Sequence, residues 1–556
     1  ELLEQARELD EALGNRAGVA AACGGLGNCY YRTGDYGRAR ELHEQHRAIC
    51  EALGDTAGVG TACNNLGELL EHTGDLPAAA RALVQGLAAF QRVERDVGAH
   101  DAQRVSLFER QQTIYRLLQR VLLGLGQPGW ALGVAAQAKA RALAHRLGGS
   151  GSAADADADA DAATADAAAR GAYEEVCGAW WAEVQQHARG EAAAAPGCAL
   201  RVLEYSLLFG DRLAIWVLSG AGELLGSATV PSTAFRRDAV GRVVFDDGLA
   251  RMRPQAGARR LGGKIRSLLE EARGSMKVRG RDAMAGPDAE LVREADGTTA
   301  PPDSESAQRG KVTCKVCQSM RCTCAADEAR ERALLRELYA ALLAPVEAAL
   351  AGADEVLIVP HKELFEVPWA ALIDAQGRFL IERCVLRVAP SLRVAQQAAG
   401  KVTQRPGHVV LVGNPRPTRL APLRHAEQEA QGVHDILNRA GVEVNQKHFF
   451  RNDLNPKATK ANVKKSLQGA GWVHFACHGD IDTDSLVLAV PDSSDPDHAH
   501  PDLSMLEVQG SDEAADKIKG LRLGDGATVF MSACNTARGE ITANGVVGMG
   551  RGFQMA

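Results

Sequence analysis

The chain of 556 residues has no run of eighteen or more apolar residues, which excludes a transmembrane helix of one continuous span. It also lacks a strong excess of either charge: 63 basic residues against 70 acidic ones leave a net charge of -7, with an isoelectric point near 6.1. That balance gives no whole-chain case for nucleic acid or a membrane as partner, and leaves room only for local basic patches. The 13 cysteines follow no regular framework outside one cluster. In a chain this long, such scatter points to a reducing, cytoplasmic setting rather than a disulfide scaffold. The first residue is Glu, not Met, which we read as placing the native start, and any targeting peptide, outside this sequence. With 46% hydrophobic residues, the length suits about three domains.

What is present begins with an internal repeat. The forty residues from Glu11, opening EALGNRAGVAAACGGLG, align without gaps to those from Glu51, opening EALGDTAGVGTACNNLG, with about 17 of the forty identical. Leu2 onward, LLEQARELDEALG, matches LHEQHRAICEALG from Leu42, so the chain opens inside a unit. Ala22, Leu26 and Tyr30 recur at helical spacing, then Ala39 and Leu42 on the next helix. Thr33-Gly34-Asp35 and Thr73-Gly74-Asp75 supply the turn: Gly ends one helix without a Cβ penalty and Asp caps the next. Each unit is a helix hairpin that must stack on its neighbours to bury its apolar face.

This pattern resembles the tetratricopeptide repeat (TPR), in the forty-residue form found in G-protein-signalling modulators and kinesin light chains. Residues 104 to 147 read as a diverged last unit, with Phe108, Tyr115 and Leu118 on one helix and Trp130, Ala131, Val134 and Ala138 on the next. An all-α TPR superhelix over 1 to 147 is therefore expected, with a concave groove for a protein or peptide.

Two compositional breaks follow. Residues 148 to 171 are an Ala/Asp low-complexity linker with nothing to bury. Residues 274 to 326, rich in Gly, Asp, Ser and charge, read as a disordered insertion. It carries Cys314, Cys317, Cys322 and Cys324 in a C-x2-C-x4-C-x-C cluster. Three readings stay open there: a tetrahedral zinc site, a redox or disulfide role, or an unstructured insertion.

Residues 172 to 273 and 327 to 556 carry strand-like runs. ALRVLEYSLLFGDRLAIWVLSGAGELLGSATV reads as two paired strands with a turn at Gly210-Asp211, and ARERALLRELYAALLAPVEAAL as a helix before the strand EVLIVP. HVVLVGNP, WVHFACHG and ATVFMSACN are further strands between helices, and GVVGMGRGFQMA is read as the start of another helix. Continuous apolar strands alternating with helices predict an α/β layer with a largely parallel sheet.

In such sheets reactive groups gather beyond the carboxyl ends of the strands. His478 and Cys534 each lie just past such an end. If the two strands are neighbours, the imidazole can hold the Cys534 thiolate and later protonate a leaving amine. Gly479, lacking a side chain, lets its backbone N–H approach an oxyanion, with the N–H of Cys534 as second donor. By the same geometry His474 and Cys477 are structural, Ser532 offers no charge for selecting a substrate, and Asp480, Asp482 and Asp484 belong to a solvated loop.

HFACHG followed by SACNT, preceded by LYAALLAPVEAAL, IVPHKELFEVPWAAL and VAPSL, looks like the CHAT domain, a clan of caspase-like and separase-like cysteine peptidases commonly fused to TPR repeats. QAKARALAHRL, Gln137 to Leu147, resembles the segment that ends the repeats in such fusions. The resemblance implies a caspase-like α/β sheet domain, its N-terminal part in 172 to 273 and its peptidase core in 327 to 556. It implies His478 and Cys534 as catalytic dyad, a protein substrate and no required cofactor. The family has Gly soon after SACNT, where this chain has Ala537-Arg538-Gly539, and it continues past Ala556 by at least one strand and helix, so the chain is read as truncated at both ends. The competing expectation is a non-catalytic scaffold in which the repeats do the work and the caspase-like fold is a docking module.

Overall fold

The computed structural model describes residues 1–96, 101–139, 167, 172–208, 212–231, 236–237, 243–244, 324–399, 407–416, 423, 425–450, 457–480, 485–491, 500–504, 507–508, 520–524, 526–533, 540–542, 545–547 and 553. Seven helices open the chain: α1 (Leu2–Ala12), α2 (Arg16–Thr33), α3 (Tyr36–Leu53), α4 (Thr56–His72), α5 (Leu76–Asp96), α6 (Asp101–Gly124) and α7 (Pro128–Gln137). Gly34 and Gly74 take φ of 87° and 89°, the left-handed conformation that costs a glycine least. Asp35 Oδ1 accepts the Arg38 N–H at 3.2 Å, and Asp75 Oδ1 the Ala78 N–H at 3.1 Å. The repeat period is thus written in the turns as well as in the apolar faces.

Small residues set how closely the hairpins close. A Cβ at Gly27 would meet the His43 ring at 2.6 Å, and one at Gly67, forty residues on, would collide with Leu83. His43 and His46, one turn apart on α3, are consequently buried against α2, and neither Nδ1 has a hydrogen-bond partner among the described residues. Burial, reinforced by the neighbouring His46, drives the His43 pKa down to about 4; burial also lowers His46, opposed by Asp55.

Beyond the repeats, α8 (Tyr173–Ala193) lies along α7, so close that a Cβ at Gly133 would stand 2.8 Å from the Trp181 backbone N. The strands β1 (Leu200–Leu208), β2 (Arg212–Ser219) and β3 (Leu224–Pro231) then form an antiparallel meander. After α9 (Cys324–Leu342) come β4 (Glu355–Val359) and β5 (Val385–Val388), which join β1 in parallel to give the order β3-β2-β1-β4-β5. Val202, Ala214, Trp216 and Val359 face a core shared with α4 to α8, whereas Leu203, Tyr205, Ile215 and Ile358 face α9.

Two sequence expectations need correction here. The run from Leu200 holds three strands, not two, because Leu224–Pro231 pairs with β2 through a turn at Gly220–Gly222. β1 and β2 are buried along nearly their whole length, since helices cover both faces. The helix expected from Ala329 to Leu350 opens at Cys324, ahead of the boundary drawn at 326, and stops at Leu342. A 3-10 turn over Ala344–Leu350 replaces its end, with Pro345 in its first turn.

A second sheet follows α10 (Leu392–Ala399). Its strands β6 (His408–Gly413), β7 (Phe449–Phe450), β8 (Ala470–Ala476) and β9 (Thr528–Ser532) are all parallel in the order β9-β8-β6-β7, flanked by α11 (Ala426–Arg439) and α12 (Lys460–Leu467). The main strands thus divide between two sheets, one mixed and one parallel. The helix expected from Gly545 is also corrected: β10 (Glu540–Thr542) and β11 (Gly545–Val547) pair antiparallel, as the β-branched Val546 and Val547 favour. Residues 148–171 apart from Ala167, and 274–323, lie outside the described residues.

The buried histidines make the repeats acid-sensitive. The folded pKa of His43 near 4 lies below the ordinary value of 6.5, so its neutral form stabilises the fold fully above pH 6.5 and less as pH falls toward 4. The loss amounts to about 3 kcal/mol at the acid end. The thermal midpoint of the helical transition, followed by circular dichroism, should fall between pH 7.5 and 5, and His43→Leu should remove much of that fall.

Candidate functional site

The parallel register of β8 and β9 builds the site. Ala476, the last residue of β8, lies opposite Ser532, the last of β9. His478 is two residues beyond Ala476; Cys534 is two residues beyond Ser532 and itself lies outside the described residues. The described chain runs to Ala533, which rests against the core beneath the sheet.

His478 is half-buried and its carbonyl accepts the Val487 N–H at 2.9 Å. Gly479 faces Leu486, and Asp480 faces Ser485, in a short ribbon completed by Leu503–Ser504. Because the bond joins His478 to Val487, Gly479 and Leu486 form a non-hydrogen-bonded pair, and the ladder does not consume the Gly479 N–H. Asp480 thus sits in a ribbon and not in an open loop, while Asp482 and Asp484 lie outside the described residues.

Neighbouring side chains have structural roles. Cys477 is buried in the core between the sheet and α12, and burial, with the charge of Asp502, pushes its thiol up to about 12. His474 Nε2 lies 2.9 Å from Glu429 Oε1 of α11, and the ring stacks on Trp472 at 6.0 Å. Ser532 is exposed at the strand end.

One residue at this edge was not singled out from the sequence. Asn414, just past β6, takes φ of 48°, donates its backbone N–H to Ala476 O at 2.8 Å, and accepts the Leu423 N–H on its side-chain oxygen at 3.0 Å. Its Nδ2 is buried without a partner among the described residues. The Gly-Asn-Pro turn was the available signal: a left-handed non-glycine at the end of a buried strand marks a backbone held under constraint.

No group of three or more metal-ligating side chains occurs among the described residues, and Cys314, Cys317 and Cys322 lie outside them; Cys324 opens α9. No helix among the described residues is long and apolar enough to cross a membrane.

Comparison with known proteins finds two family models that match the chain. The family model of the CHAT domain matches residues 332–556, and that of the tetratricopeptide repeat matches residues 19–92. The chain therefore carries TPR repeats and a CHAT domain, the latter a member of the caspase-like peptidase clan. Tetratricopeptide repeat protein 28 of Mus musculus is 24% identical over 559 residues, covering 86% of this chain and 21% of its own length. The Homo sapiens protein of the same name is 24% identical over 553 residues with the same coverage. The chain spans about a fifth of the length of these relatives.

Thiol reactivity should follow burial. Cys29 is exposed, whereas burial raises the thiols of Cys63 to about 11 and of Cys177 and Cys477 to about 12. Iodoacetamide on the native protein at pH 7.5, followed by peptide mass spectrometry, should modify Cys29 at least about a hundredfold faster than those three.

Proposed function

We propose that the chain is a cysteine endopeptidase whose TPR repeats bind a protein or peptide partner. Cys534 is the nucleophile and His478 its acid–base partner. The support is the pairing of Ala476 with Ser532, which brings the ends of the His- and Cys-bearing strands to one sheet edge. The Cys534 thiolate attacks a peptide carbonyl, and the oxyanion is met by the N–H groups of Gly479 and Cys534. The C–N bond breaks as the imidazolium of His478 gives its proton to the leaving amine, forming a thioester. His478 then removes a proton from water, which releases the acid and the free thiol.

A scaffold reading, in which the repeats do the work and the CHAT domain is a docking module, is the alternative. A peptidyl electrophile separates the two. Wild type should label at Cys534, Cys534→Ala should lose the adduct, and His478→Ala should slow labelling by about 10² or more while Cys29 reacts unchanged. Labelling of Cys534 no faster than Cys29, with or without cell extract to supply an activator, leaves the scaffold reading.

A further inference from the structure

The repeats and the first sheet meet at a buried charged node that the dyad does not use. Lys139, just past α7, is 2% exposed and lies 3.1 Å from the carboxylate of Glu204 on β1, itself 1% exposed. The same Nζ donates to Val359 O, the last carbonyl of β4, at 3.2 Å. From α6, the Arg116 guanidinium donates to Leu207 O at 2.7 Å and Leu208 O at 2.8 Å, the carbonyls that end β1. His361 completes the node by accepting the Leu207 N–H on Nδ1 at 2.9 Å. Burial, with the charges of Lys139, Lys362 and Arg116, holds the His361 ring neutral, so its proton sits on Nε2, which has no partner among the described residues.

From this node the chain enters a turn that packs on a later strand pair. Lys362 takes φ of 52°, left-handed for a non-glycine, and enters a 3-10 turn over Lys362–Glu366. Against that turn lie the backbones of β10 and β11, the strand pair that follows Cys534 in the chain. A strained residue between a buried charge pair and a segment next to the reacting group is a placement that a generic interface does not need.

We infer that Lys139 is a positioning residue: by pairing with Glu204 and holding Val359, it fixes the 362–366 turn on which the segment after Cys534 rests. Docking of the last repeat on the sheet then sets the geometry of that segment. The inference rests on the reading of Cys534 as nucleophile only for its catalytic consequence. Burial makes the pair sensitive, since removing one partner leaves the other charge uncompensated, whereas replacing both with apolar groups restores packing.

Hydrogen exchange on the full chain, read by mass spectrometry, tests this without requiring catalysis. Lys139→Met should speed exchange in 362–366 and 540–547 by about tenfold or more, beyond any change in α2 to α5, and Lys139→Met with Glu204→Met should return both segments toward wild type. Labelling of Cys534 should slow in the single variant and recover in the double one, its pH dependence unmoved. Unchanged exchange in both segments, or an equal rise along the whole chain, overturns the inference. If Lys139→Met does not fold, Glu204→Gln carries the same test with the same readout. If wild-type Cys534 never labels selectively, the peptidase reading fails while the exchange result still decides the coupling.

Discussion

The first sheet is apolar on both faces, and each face must be covered. β1 and β2 are buried along nearly their whole length, so neither the repeats nor the sheet-bearing segment can fold as a closed unit at this junction. Helices α4 to α8 supply one cover and α9 the other, giving a core that runs without a break from Leu66 and Leu83 through Trp180 to Trp216 and Val359. Burial of this kind is the main favourable term in folding. It explains why a helical array with exposed turns ends in a flush contact with strands.

Some polar groups trapped at that junction find partners. Tyr205 donates its hydroxyl to Leu342 O at 2.8 Å, tying β1 to the end of α9. Lys139 and Glu204 are each deprived of water, which pulls the ammonium down and the carboxyl up, and their mutual attraction opposes both shifts. Removing either member of such a pair would leave the other charge buried and uncompensated. The second sheet obeys a simpler rule: four parallel strands send their carboxyl ends to one edge, where His478, Gly479 and Asn414 collect.

Much of this was legible in the residues. The forty-residue period with Gly34-Asp35 and Gly74-Asp75 announces helix hairpins, because Gly suits a left-handed helix end and Asp a capped start. The apolar runs before His478 and Cys534 announce strands, and their flanking residues carry the CHAT resemblance. The strand at Leu224–Pro231 was hidden by its Gly, Ser and Ala content, and exists because β2 offers it a free edge. The strand pair at 540–547 was hidden for a related reason: three residues a side make no periodic signal, and pairing alone defines them.

By itself, then, the sequence determined the repeat unit, its turns, the apolar strands and the residue types poised at their ends, since each depends on local conformational preference and periodicity. Only the tertiary structure decided that the main strands divide between one mixed and one parallel sheet, that Ala476 stands opposite Ser532, and that Lys139 finds Glu204, 65 positions further along the chain. Those relations join residues whose spacing carries no information about each other. They arise when covering two apolar faces leaves the chain one way to close.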